Sequence, residues 1–235
     1  MNQINFVYCF SKKLSVNDEQ YKVNLELFSE STKLLARYFN FKIITDTYTV
    51  KDLENFTENI EIVDTDKFFF IDDFKIKILQ NLKSNEILID PDIIVKRRPK
   101  YELTADIIFD YEDSPLEEWY LEDIEKIKNT EFYSKLKSIK NIPFIPNIGF
   151  LKINNSELLT DYINSYNYYK RELLEKVKFS FPKFSILLGQ YLLGILLHEG
   201  NYSYYSFRTN NTGSIYIHLG GPQKYAKLNK NKSII

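Results

Sequence analysis

The chain holds 235 residues, with 31 basic against 32 acidic side chains and a formal net charge of -1. That balance excludes the basic excess expected of a nucleic-acid binder, and a content of 44% hydrophobic and 27% charged residues excludes a disordered chain. The length fits one large domain or two small ones. A lone cysteine, Cys9, leaves no disulfide framework and points to a reducing compartment, so a cytoplasmic location is expected. The first ten residues lack the basic start of a leader, and the longest apolar stretch, 184–198, is broken by Gly189-Gln190, so no membrane span is expected.

The elements follow in chain order. Residues 4–10 are β-branched and aromatic and read as a buried strand. Tyr21, Leu25, Phe28, Leu34, Leu35 and Tyr38 recur at spacings near three and four and predict a helix. Strands are expected at 41–45 and 60–63, then a helix over 72–82 capped by Asp72-Asp73. Strand, helix, strand is how a Rossmann-like α/β layer begins. The stretch 86–95 runs as a strand to Asp90, turns at Pro91, presents Asp92 and resumes as apolar chain. Strands are also expected at 105–109 and 144–153, with a charged helical region over 112–141 between them. Helices are expected at 156–177 and 184–198, and strands at 202–207 and 214–219.

Two segments hold residues fit for chemistry. Asp90 and Asp92, separated by a turn at a strand end, can both reach one hard divalent cation; Asp and Pro are also ordinary turn formers. His218 at the end of the last strand, with Gly221 and Lys224 after it, combines an imidazole, a close backbone approach and an ammonium, although taken alone a buried histidine and a Gly-Gly turn are the commoner reading. His198, at the end of an apolar helix, reads as a cation on the helix dipole.

Ile87-Leu-Ile-Asp90-Pro-Asp92-Ile-Ile-Val95 resembles the Asp-X-Asp strand of GT-A glycosyltransferases. His218-X-X-Gly221-X-X-Lys224 is similar to the closing motif of the retaining glycogenin and lipopolysaccharide-galactosyltransferase-like family. Pro146-Asn147-Ile148-Gly149 resembles that family's Asn-X-Gly strand, and Gly189-Gln190 its Asp-Gln pair. Lys75 stands where the family has a basic residue facing the donor. The resemblance covers about residues 4–226. It implies a single GT-A (Rossmann-like) domain over 1–235, with a central mixed β-sheet flanked by helices. Its nucleotide-binding half would be about 1–110 and its closing half about 111–226, followed by a basic tail at 227–235.

The resemblance further implies a nucleotide-sugar donor, a UDP-sugar first among them, and Mn²⁺ or Mg²⁺ held by Asp90, Asp92 and His218. Gly221 and Lys224 would meet the diphosphate, Asn147 and Gln190 would face the transferred sugar, and Ser11 would contact the base or ribose. Gly189 stands where the family has Asp, and Tyr225-Ala226 replaces its Pro-Trp, so the acceptor, whether glycan, lipid-linked or protein, is unread. Asp110 could supply an acceptor-side carboxylate, in a run more often found as a solvated loop. Trp119 could stack on an acceptor sugar, while Tyr202, Tyr204, Tyr205 and Phe207 read as core packing. Two further readings stay open: a non-catalytic nucleotide-sugar or glycan-binding module, and a nucleotidyltransferase.

Overall fold

The computed structural model describes residues 4–15, 17–97, 104–115, 124–137, 142–176, 186–211 and 216–218. The chain divides into two compact units, Met1–Tyr101 with Asn210–Ile235, and Glu102–Thr209.

The first unit opens with β1 (Asn5–Phe10), α1 (Asp18–Leu35), β2 (Asn40–Thr45), α2 (Val50–Leu53) and β3 (Ile60–Ile62). It continues with α3 (Ile71–Leu79), β4 (Glu86–Ile89) and β5 (Ile93–Val95). Four strands pair in the order β4-β1-β2-β3, all parallel, with Phe6 opposite both Phe41 and Ile87. Parallel strands need crossover connections, which α1 and α3 supply, and apolar side chains on both faces, which β1 has: Phe6 to Phe10 are all buried.

Helix α1 starts at Asp18, ahead of Tyr21, the first apolar position of its periodic face. Asn17 caps it, its Oδ1 accepting the Gln20 N–H at 2.8 Å, and Asp18 and Glu19 complement the dipole in a first turn that apolar periodicity does not mark. Its inner face places Phe28 edge-on to Tyr8 at 4.9 Å and to Phe56 at 5.2 Å, while Val23 and Leu27 cluster with Ile94 of β5. The expected Asp72-Asp73 cap differs too. Helix α3 begins at Ile71, and the Asp73 carboxylate folds back to accept the N–H groups of Phe69 at 2.7 Å and Phe70 at 3.1 Å.

The second unit holds β6 (Ile107–Phe109), β7 (Glu112–Asp113), α4 (Glu131–Leu136), β8 (Ile145–Pro146), β9 (Phe150–Ile153) and α5 (Ser156–Lys176). A π-helical turn over Leu187–Tyr191 leads into α6 (Leu192–Glu199), followed by β10 (Tyr204–Ser206) and α7 (Phe207–Asn210). Strand β6 is parallel to β10 and antiparallel to β9, and β7 pairs antiparallel with β8. The helical reading of 112–141 is corrected at its start, where Glu112-Asp113 is a strand because β8 offers it a ladder; further on, a 3₁₀ turn at Glu125–Ile127 and α4 are helical, and 116–123 and 138–141 lie outside the described residues. The strand expected over 202–207 stops at Ser206, and Phe207 begins a helical turn.

Of the aromatic cluster expected as core, only Phe207 is buried; Tyr202 and Tyr205 are half-buried and Tyr204 is 44% exposed. Tyr204 stacks on Phe109 with centroids 5.6 Å apart, and Phe207 on Phe150 at 4.2 Å. A Cβ at Gly194 would lie 3.1 Å from both Ile145 and Pro146, so a larger residue there would need β8 or its side chains to give by a few tenths of an ångström. His198 is not simply a cation for the helix end: its Nε2 donates to the Phe144 carbonyl at 3.1 Å, and its ring meets the Phe144 ring edge-on.

Glu172, buried on α5, accepts the N–H groups of Glu131 at 2.6 Å and Phe132 at 3.1 Å, and Lys176 reaches the same carboxylate at 2.8 Å. Burial works to raise its pKa, but the Lys176 ammonium and the two N–H groups outweigh burial and hold it below the ordinary 4.5. Its stabilising contribution is thus complete above that value and fades as pH falls through the lowered one. Glu172→Gln is expected to cost about 1–2 kcal/mol at pH 7 by thermal unfolding. The difference from wild type should shrink as pH falls below 4.5; a difference that stays constant there would contradict this account.

The chain returns to the first unit with β11 (Tyr216–His218), antiparallel to β5 with His218 opposite Ile93. Among the described residues no helix is long and apolar enough to cross a membrane.

Candidate functional site

Because β4, β1 and β2 are parallel, their C-terminal ends emerge at one edge, where α/β sheets present ligand-binding loops. The residues that follow these strands are Asp90, Ser11 and Asp46. Lys75 reaches the same edge from α3. Its Nζ lies 2.7 Å from Asp90 Oδ1 and 2.8 Å from Oδ2, so both carboxylate oxygens are taken by one ammonium.

Lys75 is 7% exposed. Burial works to lower its pKa, but Asp90 and Asp72 outweigh burial and hold it above the ordinary lysine value, so it stays charged. Burial also pushes the Asp90 carboxyl up, against Lys75 and with the help of the neighbouring Asp92. Cys9 lies within the field of the same groups, and burial keeps it a thiol by raising its pKa.

Two residues on, Asp92 is buried at the start of β5, and its Oδ1 stands 3.6 Å from His218 Nε2 on β11. This juxtaposition depends on the β5–β11 ladder, and β5 is anchored from behind. Ser31 of α1 donates a short hydrogen bond to the Ile93 carbonyl and meets the Tyr8 hydroxyl at 2.7 Å. The Tyr8 hydroxyl is kept protonated by burial, which raises its pKa against the opposing Ser31 contact.

A carboxylate oxygen and an imidazole nitrogen at this separation suit a divalent cation as a donor pair. Asp90, the third expected donor, faces Lys75 instead, and among the described residues no group of three or more His, Cys, Asp or Glu side chains is set to hold a metal. The donor chemistry fits such an ion at Asp92 and His218, with Asp90 held back by the ammonium.

Ser11 is buried, and its hydroxyl is already committed: it donates a short hydrogen bond to Asp46 Oδ2 and accepts the Leu14 N–H at 3.1 Å. Asp46 Oδ1 accepts the Thr49 hydroxyl at 2.7 Å, and Thr49 Oγ1 accepts the Lys12 N–H at 2.7 Å. The loops after β1 and β2 are thereby tied together. The sequence reading missed Asp46; an Asp directly after a strand, three residues before a Thr, is the turn signal that could have found it.

Asn147, Gln190 and Asp110 belong to the second unit. Asp110 follows β6, and its N–H donates to the Asn147 carbonyl at 2.9 Å. Read from sequence as part of a solvated run, it is instead fully buried. The Asn147 Oδ1 accepts the Gly149 N–H at 3.1 Å, a local use in the turn before β9. Gln190 sits within the π-helical turn, and its Oε1 is buried without a hydrogen-bond partner, a costly arrangement of the kind found at functional sites. Arg208, absent from the sequence reading, lies over the Tyr111 ring at 3.7 Å beside Asp110, whose carbonyl accepts the Arg208 N–H at 2.7 Å. Gly221, Lys224 and Trp119 lie outside the described residues.

No protein-family model matches the chain, and no curated protein matches it significantly. Among solved structures it is similar to the glycosyltransferase GlyE of Streptococcus pneumoniae TIGR4, at 14% identity and a TM-score of 0.45, covering 88% of this chain. The chain spans 46% of the length of GlyE. Mouse xyloside xylosyltransferase 1 in its apo form is also similar, at 14% identity and a TM-score of 0.43, over 86% of this chain and 84% of that one. At these TM-scores the superpositions establish no residue-to-residue correspondence.

Proposed function

We propose that the chain is a metal-dependent glycosyltransferase that moves a sugar from a nucleoside diphosphate to a hydroxyl-bearing acceptor, in the manner of the retaining glycogenin and lipopolysaccharide-galactosyltransferase-like family. The observation that carries this reading is the pairing of Asp92 with His218, and of Asp90 with Lys75, in one unit whose parallel strands end beside them. Breaking the bond between the anomeric carbon and the diphosphate leaves the electron pair on the departing oxygen, so the site must stabilise negative charge there. A divalent cation bound at Asp92 and His218 would supply that neutralisation. Lys75, Gly221 and Lys224 are assigned to the diphosphate, Ser11 and the Asp46 loop to the nucleoside, and Asn147 and Gln190 to the transferred sugar. Asp110 and Trp119 are the acceptor-side candidates, and the unsatisfied Gln190 Oε1 has the acceptor capacity to take a sugar hydroxyl.

Purified protein is expected to bind and slowly hydrolyse a UDP- or GDP-sugar when Mn²⁺ is added. Release of free nucleoside diphosphate is the readout, and equal rates with Mn²⁺ and with EDTA would sink the reading. Gly189, where the family has Asp, favours the second reading, a module that binds the donor without turning it over; tight binding with no release over hours would select it.

A further inference from the structure

We propose that Lys75 is a built-in competitor of the divalent cation: its ammonium withholds Asp90, so that a metal ion enters on Asp92 and His218 alone. The inference rests on the metal-binding part of the reading above and deepens it.

The Lys75 ammonium bridges both Asp90 oxygens, at 2.7 and 2.8 Å, and is itself buried. A charge of +1 bound to a carboxylate opposes a charge of +2 placed on the same oxygens, and burial weakens the solvent screening that would soften the conflict. Asp92, only two residues away, is turned to a different neighbour, with its Oδ1 at 3.6 Å from His218 Nε2. The two carboxylates of the Asp-Pro-Asp turn therefore have separate cationic neighbours, one a lysine and one an imidazole. Affinity for hard cations rises with the number of charged ligands. A site that uses one carboxylate where two stand within reach is therefore weaker for metal than its composition suggests. Lys75 positions Asp90, and this use is separate from any contact with a diphosphate.

The test is titration of the whole protein with Mn²⁺, without nucleotide, following free Mn²⁺ by electron paramagnetic resonance. Lys75→Met is expected to bind Mn²⁺ about tenfold or more tightly than wild type, and the double variant Lys75→Met with Asp90→Asn to lose that gain. Lys75→Arg, which keeps the charge and can hold the carboxylate with two N–H groups, should show no gain over wild type. Unchanged or weaker affinity in Lys75→Met overturns the proposal, as does a gain that survives loss of Asp90. Should Lys75→Met not fold, Asp90→Asn alone decides: a fall of less than about threefold supports the proposal, and a tenfold fall overturns it. Failure of wild type to bind any nucleotide sugar would sink the glycosyltransferase reading separately, because none of these titrations includes nucleotide.

Discussion

Asp92→Asn is expected to abolish Mn²⁺-dependent binding of a UDP-sugar, weakening it by more than about 100-fold, while leaving the fold in place. Asn keeps the size of the side chain and one acceptor oxygen, so the β5–β11 ladder that sets Asp92 near His218 has no steric reason to move. What the substitution removes is the negative charge that a hard cation needs. Calorimetry with and without Mn²⁺ reads the first expectation and thermal unfolding in EDTA the second. Equal, metal-independent affinity in wild type and variant would refute both the metal site and the assignment of Asp92 to it. A large drop in melting temperature in EDTA would instead make Asp92 a structural residue.

The second large effect is on stability. Phe28→Ala is expected to cost about 3–5 kcal/mol, a large part of the roughly 5–15 kcal/mol that holds an ordinary domain folded. Phe28 is fully buried and touches Tyr8, Phe10 and Phe56, so one truncation opens a cavity where α1 meets β1. The loss should reach the site as well, because Ser31, less than a turn further along α1, anchors the carbonyl of Ile93. Urea unfolding followed by circular dichroism reads the cost from the midpoint, and a shift worth less than about 1 kcal/mol would mean that the surrounding side chains collapse into the space.

The parts of the fold legible in the sequence are those written in local pattern. The apolar run ending at Phe10, the periodicity of α1 and the strand-Pro-strand passage through Asp90 and Asp92 each state their structure within one continuous stretch of chain. What was illegible depends on contacts made after the chain closes. Nothing near Lys75 in sequence says that its partner is Asp90, because that pairing needs α3 to cross to the end of β4. Glu112-Asp113 has poor strand propensity and becomes a strand only because β8 lies alongside. The π-helical turn around Gln190 has no compositional signature. The Tyr162 hydroxyl, which donates to the Gly189 carbonyl at 3.2 Å, comes from a different helix.

The ladder between β5 and β11 has a consequence for how the molecule is made. About 120 residues separate the two strands. At a synthesis rate of roughly 5–20 residues per second, β5 waits on the order of ten seconds for its partner to be translated. Strands β1 to β4 need no later segment to pair with one another and can assemble in the meantime. His218 therefore reaches Asp92 only after the whole second unit has been translated, and a nascent chain carries an assembled sheet edge before it carries the Asp92–His218 pair.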